Sequence, residues 1–208
     1  MDTIHLTNQE QQTVNYYNQQ GKGWVEQQSP VSFWAQEIET FKQLLPTGKI
    51  IEIGVGAGLE AQLLLNQKTY DYVGIDISPT MLAMAQQRNP EAKFMEASLH
   101  ELPFSSDTFD GFWAALVFLH VPKNRIDQAL LSLTKVLKKN ACGFISLKGG
   151  YGEETDKETN RFFSYFTSDE FTNILKKHHF IVEKNYERKE IKRIKEHTWL
   201  VFFVTYKP

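Results

Sequence analysis

One cysteine, Cys142, is all that the 208-residue chain contains, so an internal disulfide is excluded. At the edge of an apparent strand, that thiol reads as a small buried hydrophobe rather than a nucleophile. No apolar run approaches the length of a membrane span, and Met1 to Gln12 is polar with no apolar signal core. Basic excess is missing as well. The 23 Lys and Arg stand against 25 Asp and Glu, a formal net charge of −2, which lacks the electrostatic footprint of phosphate-backbone binding. These absences point to a soluble, cytoplasmic protein that engages neither nucleic acid nor membrane, and no metal site is expected. Apart from a Gln-rich N-terminus there is no repeat or low-complexity tract. With 41% hydrophobic and 13% aromatic residues and no break in composition, one globular domain over residues 31–208 is expected, preceded by a helical segment over residues 1–30.

What is present is concentrated in one stretch. Ile50-Ile51-Glu52-Ile53-Gly54-Val55-Gly56-Ala57-Gly58 is an aliphatic run ending in alternating glycines, and Leu59 to Leu65 then reads as a helix. Strand, tight turn and helix in that order open a nucleotide-binding βαβ unit. Downstream, Tyr72-Val73-Gly74-Ile75-Asp76 reads as a second strand. Its terminal carboxylate falls roughly twenty residues beyond the loop, where such folds hold a ribose. The dinucleotide fingerprint G-x-G-x-x-G is not matched, because Leu59 stands where its third glycine belongs. The loop therefore favours an adenosine ligand other than NAD.

Glu52, Gly54, Gly56 and Gly58 resemble the first motif of the class I S-adenosylmethionine-dependent methyltransferases, an acid followed by G-x-G-x-G, with Val55 where relatives often have Cys. Asp76-Ile77-Ser78-Pro79-Thr80-Met81-Leu82 resembles the second motif. In Ala92 to Ser98 followed by Leu102-Pro103-Phe104, Met95 and Glu96 replace the Gly and Asp of the family's G-D-A and L-P-F segments. The resemblance implies a Rossmann-like α/β fold with a seven-stranded, mostly parallel sheet, an antiparallel last strand and helices on both faces. It also implies S-adenosylmethionine as cofactor, S-adenosylhomocysteine as product and a small-molecule acceptor. Asp76 would span the ribose hydroxyls. Ile77 and Met81 would flank the adenine or belong to the core. The Glu96 carboxylate would accept from the adenine amine while the Ala97 N–H donates to a ring nitrogen beside Ser98, and the Ala114 carbonyl would take the ammonium. Tyr17 and Trp24 stand at the spacing of an aromatic pair that such enzymes carry on a segment closing over the cofactor, with Gly21 and Gly23 supplying its mobility.

Elsewhere, Val31 to Leu45 and Ile126 to Leu137 carry helical apolar repeats, the second ending in Lys138-Lys139-Asn140. Ser78 before Pro79, and Thr167 or Ser168 before Asp169 to His178, read as helix caps. Thr108 to Ala115 and Gly143 to Lys148 read as the fourth and fifth strands. Phe180 to Glu187 and Thr198 to Tyr206 read as a hairpin whose charged connection, Arg188 to His197, forms a turn. His120, in a segment resembling the family's L-x-H-V, has an unperturbed pKa near neutrality and is a candidate base or substrate orienter, or a structural residue. The polar segment Gly149 to Asn160 reads as a loop over the sheet edge where substrate enters. Tyr16, Lys148, Tyr151, Arg161 and Tyr165 are the candidate substrate residues. Two other functions share these features: an NAD-dependent oxidoreductase, and a catalytically silent methyltransferase-like module that binds a partner.

Overall fold

Burial without a break from Ile50 to Ile53 marks strand β1 (Gly48–Ile53) as covered on both faces, the signature of a central parallel strand. The computed structural model describes residues 5–26, 32–66, 69–192 and 195–208, with the side chains of residues 24 and 191–196 outside the description. After helix α1 (Asn8–Glu26) and helix α2 (Ala35–Leu44), β1 leads into α3 (Leu59–Leu65), β2 (Tyr70–Asp76), α4 (Pro79–Arg88), β3 (Lys93–Glu96) and β4 (Phe109–Ala115). Then follow α5 (Ile126–Val136), β5 (Leu137–Lys148), β6 (Glu153–Thr155), β7 (Phe162–Ser164), α6 (Ser168–Lys177), β8 (Phe180–Lys192) and β9 (Lys195–Tyr206).

The main sheet has the order β3-β2-β1-β4-β5-β9-β8. All neighbours pair in parallel except β9, which runs antiparallel to both β5 and β8. This is the expected architecture. Strand order reverses between β1 and β4, so the C-terminal ends of those strands open the crevice in which such sheets bind ligands. Adjacent residues of β9 show that both faces are covered: the Phe203 ring meets Phe144 at 5.3 Å, and Phe202, pointing the other way, meets Phe171 of α6 at 5.4 Å. On the first face Trp113 stacks on its register partner Phe144 at 3.7 Å, and α2 closes over them through Phe41 and Trp34.

Capping follows the sequence. Ser78 accepts from the Met81 N–H with Pro79 at the first helical position, and Thr167 forms a capping box with Glu170. Three expectations are corrected. Lys138 to Asn140 belongs to β5 rather than to a helix end, because the chain is extended from Leu137 and Lys138 reaches Asp110 at 2.9 Å. The charged run after Glu187 continues the β8–β9 ladder instead of forming a turn, with cross-strand partners Arg188 and Trp199, and Glu190 and His197. The loop after β5 folds back as the β6–β7 hairpin, its turn held by Asp156 Oδ1 accepting from the Thr159 N–H at 2.8 Å. Among the described residues no helix is long and apolar enough to cross a membrane.

Candidate active site

At the end of β1 the chain turns sharply, with Gly54, Gly56 and Gly58 at φ of 67°, 53° and 74°. Two of these differ instructively. A Cβ on Gly58 would lie 2.7 Å from Asn89 Nδ2 and 3.0 Å from the Ala85 Cα, so close packing against α4 demands glycine there. A Cβ on Gly56 would meet nothing within 4 Å, so the backbone at Gly56 borders open space. The loop is braced from α4 by Arg88 Nη1 donating to the Ala57 carbonyl at 2.7 Å and Asn89 Nδ2 to the Gly58 carbonyl at 2.8 Å. Val55 spends its N–H on the Ile75 carbonyl and its carbonyl on the Gly58 N–H.

Asp76, ending β2, faces this loop. Its Oδ2 accepts from the Gly56 N–H at 2.8 Å and its Oδ1 from the Ser78 N–H at 2.9 Å. Burial pushes its carboxyl pKa up, against the pull of backbone donors at Ser78, Gly56 and Ile77. Each oxygen keeps lone-pair capacity after these bonds. A rigid acceptor pair beside an open glycine backbone fits the vicinal hydroxyls of a ribose, so the residues present suit an adenosyl group. Glu52 lies deeper, at 2% exposure, and accepts from the Tyr72 hydroxyl at 2.5 Å. Burial first, and the charge of Glu60 second, push the Glu52 pKa well up.

β3 is in register with β2 so that Glu96 pairs with Asp76, which places the two acids at the same end of adjacent strands and on the same face. Glu96 is exposed. The Ala97 N–H donates to the Asp76 carbonyl at 3.0 Å, extending the ladder by one bond. That corrects its expected role: a sheet-paired N–H is not free to read a ring nitrogen. Ser98 is buried and accepts from the His100 N–H through Oγ at 3.2 Å. Ile77 is half-buried, and Met81 is 2% exposed. A Cβ on Gly21 would sit 2.6 Å from the Met81 Cε, so Gly21 serves close packing of α1 on α4 within a continuous helix rather than a hinge. Ala114 is fully buried near the end of β4. Two residues on, Leu116 has φ 60°, an uncommon conformation for leucine, held by its N–H donating to the Ser146 carbonyl at 3.0 Å. No sequence signal marks it.

α1 lies across the crevice. Asn18 accepts from the Ser78 hydroxyl at 2.7 Å through its side chain and from the Thr80 hydroxyl at 3.1 Å through its carbonyl. Its N-terminal end is tied down by Glu10, which meets His100 Nε2 at 2.5 Å and also pairs with Arg125. One turn beyond Thr13, whose hydroxyl accepts from the Phe162 N–H at 2.9 Å, Tyr17 enters a cluster. The His120 Nδ1 lies 2.7 Å from the Phe162 carbonyl, an acceptor only, so Nδ1 carries the proton and Nε2 accepts from the Tyr17 hydroxyl at 3.2 Å. Arg161 Nη1 donates to the same hydroxyl at 3.2 Å. Burial pushes the Tyr17 pKa up, with Arg161 opposing. Burial and the charges of Arg161 and Lys148 lower the His120 pKa to about 3, against the Phe162 carbonyl. The expected near-neutral base is therefore an uncharged acceptor.

Lys148, ending β5, lies 3.7 Å from the centre of the Phe163 ring and 5.6 Å from that of Tyr165. Arg161 lies over Tyr16 at 4.8 Å and Phe163 at 5.2 Å. Tyr16, Lys148, Arg161 and Tyr165 thus come together around Phe163, which sequence reading passed over. Tyr151 does not join them. It is 86% exposed and lines a separate cleft of about 420 Å3 between the start of α6 and the β8–β9 hairpin. Trp24, expected with Tyr17, lies outside the described side chains.

Comparison with known proteins agrees with this geometry. The family described as "Methyltransferase domain" matches residues 51–145, from within β1 into β5. Uncharacterized protein MJ1123 of Methanocaldococcus jannaschii is 31% identical over 153 residues, which cover 69% of each chain. The ubiquinone/menaquinone biosynthesis C-methyltransferase UbiE of Agrobacterium fabrum is 35% identical over 106 residues, covering 45% of this chain but only 39% of that enzyme. The structure of Burkholderia thailandensis 1,6-didemethyltoxoflavin-N1-methyltransferase, with 1,6-didemethyltoxoflavin and S-adenosylhomocysteine bound, superposes with a TM-score of 0.75. It is 16% identical, and the match covers all of this chain and 94% of that one. Glycine turn, strand-ending acid, sheet order and family match converge: the chain belongs to the class I S-adenosylmethionine-dependent methyltransferases, and S-adenosylmethionine is its cofactor.

Proposed function

We propose that the chain methylates a small-molecule acceptor at the end of the crevice where β4, β5 and β7 meet α1. The observation that carries the site assignment is the Asp76 carboxylate held by the Gly56 and Ser78 N–H groups beside the open backbone of Gly56. In this reading Asp76 and the glycine loop hold the ribose, Glu52 supports the loop from below, and Ile77, Met81 and Ser98 bound the adenine side with Glu96 at its rim. Ala114 and Leu116 line the floor beneath the methionine portion. The bound cofactor supplies a sulfonium methyl that is already activated. The chain's own residues position the acceptor and exclude water. α1 serves as the lid, closed through Tyr17, and His120 orients Tyr17 as a neutral acceptor.

Thermal unfolding with and without ligand tests the assignment. S-adenosylhomocysteine at ~100 times its Kd adds about 2.7 kcal/mol of stability, which raises the midpoint by roughly 5–10 °C in a domain of this size. NAD leaves it unchanged. A midpoint raised by NAD and not by S-adenosylhomocysteine would return the oxidoreductase reading.

A further inference from the structure

We propose that the acceptor is a small organic anion, and that its negatively charged oxygen group seats between Lys148 and Arg161 beside Phe163. The inference rests on the methyltransferase reading and names the class of its second substrate.

Both cations lie within 5.2 Å of the centre of one ring, and both are half-buried. Among the described residues neither has a carboxylate within ion-pairing distance. The acids closest in effect are engaged elsewhere. Glu154 accepts from the Tyr165 hydroxyl, and Asp156 is held in the β6–β7 turn by the Thr159 N–H and hydroxyl, at 2.8 and 2.7 Å. His120, beside the Tyr17 hydroxyl, turns its protonated nitrogen to the Phe162 carbonyl and brings no negative charge. Burial first, then repulsion from Arg161, lower the Lys148 pKa to about 8, against the pull of Glu154 and Asp156. Ring contacts with Phe163, Tyr16 and Tyr165 stabilise each cation but neutralise neither. Two like charges brought together with no carboxylate in contact, and only the more distant pull of Glu154 and Asp156, beside the crevice at the C-terminal ends of β4 and β5, form a receptor for an anion. With Nε on the Thr159 hydroxyl and Nη1 on the Tyr17 hydroxyl, each at 3.2 Å, Arg161 keeps Nη2 to donate to an oxyanion, with Lys148 as a point charge beside it. An anion there also offsets the positive charge of the methyl donor. A neutral or cationic acceptor would have to be desolvated against both side chains.

The full chain, incubated with tritium-labelled methyl donor and a small-molecule cell extract split at neutral pH on an anion exchanger, provides the test. Label is expected in products from the retained fraction. The acceptor purified from it is then titrated into protein saturated with S-adenosylhomocysteine. Lys148→Met and Arg161→Met should each weaken acceptor binding by about 10- to 100-fold, the range of a charge-assisted hydrogen bond. Arg161→Lys should recover part of the loss, and in Lys148→Met affinity for S-adenosylhomocysteine should not change. Label confined to acceptors in the flow-through, or acceptor binding in the Met variants equal to wild type, would overturn the proposal. Loss of S-adenosylhomocysteine binding by the unmodified chain would count instead against the methyltransferase reading beneath it.

Discussion

The Tyr17 hydroxyl, on α1, lies 3.2 Å from Nε2 of His120, on the loop after β4, and this contact joins the segment covering the crevice to the edge of the sheet. Because the Phe162 carbonyl fixes the proton on Nδ1, the imidazole can only accept at Nε2, and the direction of the bond is determined. Tyr17→Phe removes this bond and the one from Arg161 while keeping the ring. Each such bond is worth roughly 0.5–1.5 kcal/mol net. Hydrogen exchange of the α1 amides around Tyr17 should therefore quicken about 5- to 160-fold. Protection equal to wild type would show that Asn18 and Glu10 hold the helix without Tyr17.

The same bond predicts a pH dependence. His120 has a folded pKa of about 3 against an ordinary 6.5. The unfolded chain therefore binds the extra proton first, and the stability that His120 contributes is fully present above pH 6.5 and is lost as pH falls toward 3. Glu52, Glu60 and Asp76, whose carboxyls burial pushes up, act in the opposite sense. The difference between wild type and His120→Asn isolates the histidine. Denaturant melts should show wild type losing more stability than His120→Asn between pH 7.5 and 5. Parallel pH profiles would contradict the buried neutral imidazole.

Gly56 and Gly58 have similar backbone angles and opposite surroundings. Gly58→Ala drives a methyl into Asn89 and the Ala85 backbone, so it should lower the unfolding free energy by about 2–4 kcal/mol, from overpacking together with left-handed strain. Gly56→Ala carries only the strain, about 1–2 kcal/mol. It should keep the fold and lose cofactor affinity, because its methyl occupies the space over the loop. Circular-dichroism melts and ligand titration of both variants separate the two roles. Wild-type cofactor affinity in Gly56→Ala would remove Gly56 from the site.

Local signals made much of this fold legible. Glycine spacing and a strand-ending acid placed Gly56 opposite Asp76, and short polar residues before Pro79 and Asp169 marked helix starts. Thr7 and Glu10 form a capping box that the sequence also displays at the right spacing, unread among the glutamines. What remained hidden depends on partners distant in sequence. Glu10 meets His100 and Arg125 across some hundred residues, and nothing near Glu10 announces them. The Ala97 N–H was assigned to a ligand because the loop motif says nothing about the Asp76 carbonyl that takes it. Charged strand residues after Glu187 look like a turn until their partners on β9 are known. The conformation of Leu116 is set by Ser146, thirty residues away.

The most direct test of the account is calorimetric titration of S-adenosylmethionine into wild type and Asp76→Ala. The Asp76 carboxylate is the one charged acceptor assigned to the ribose, and charge-assisted bonds to two hydroxyls are worth roughly 1.5–3 kcal/mol each. The variant should bind at least about 100-fold more weakly while staying folded. Equal affinity in the two proteins would contradict the assignment of the crevice between β1 and β4 as the cofactor site.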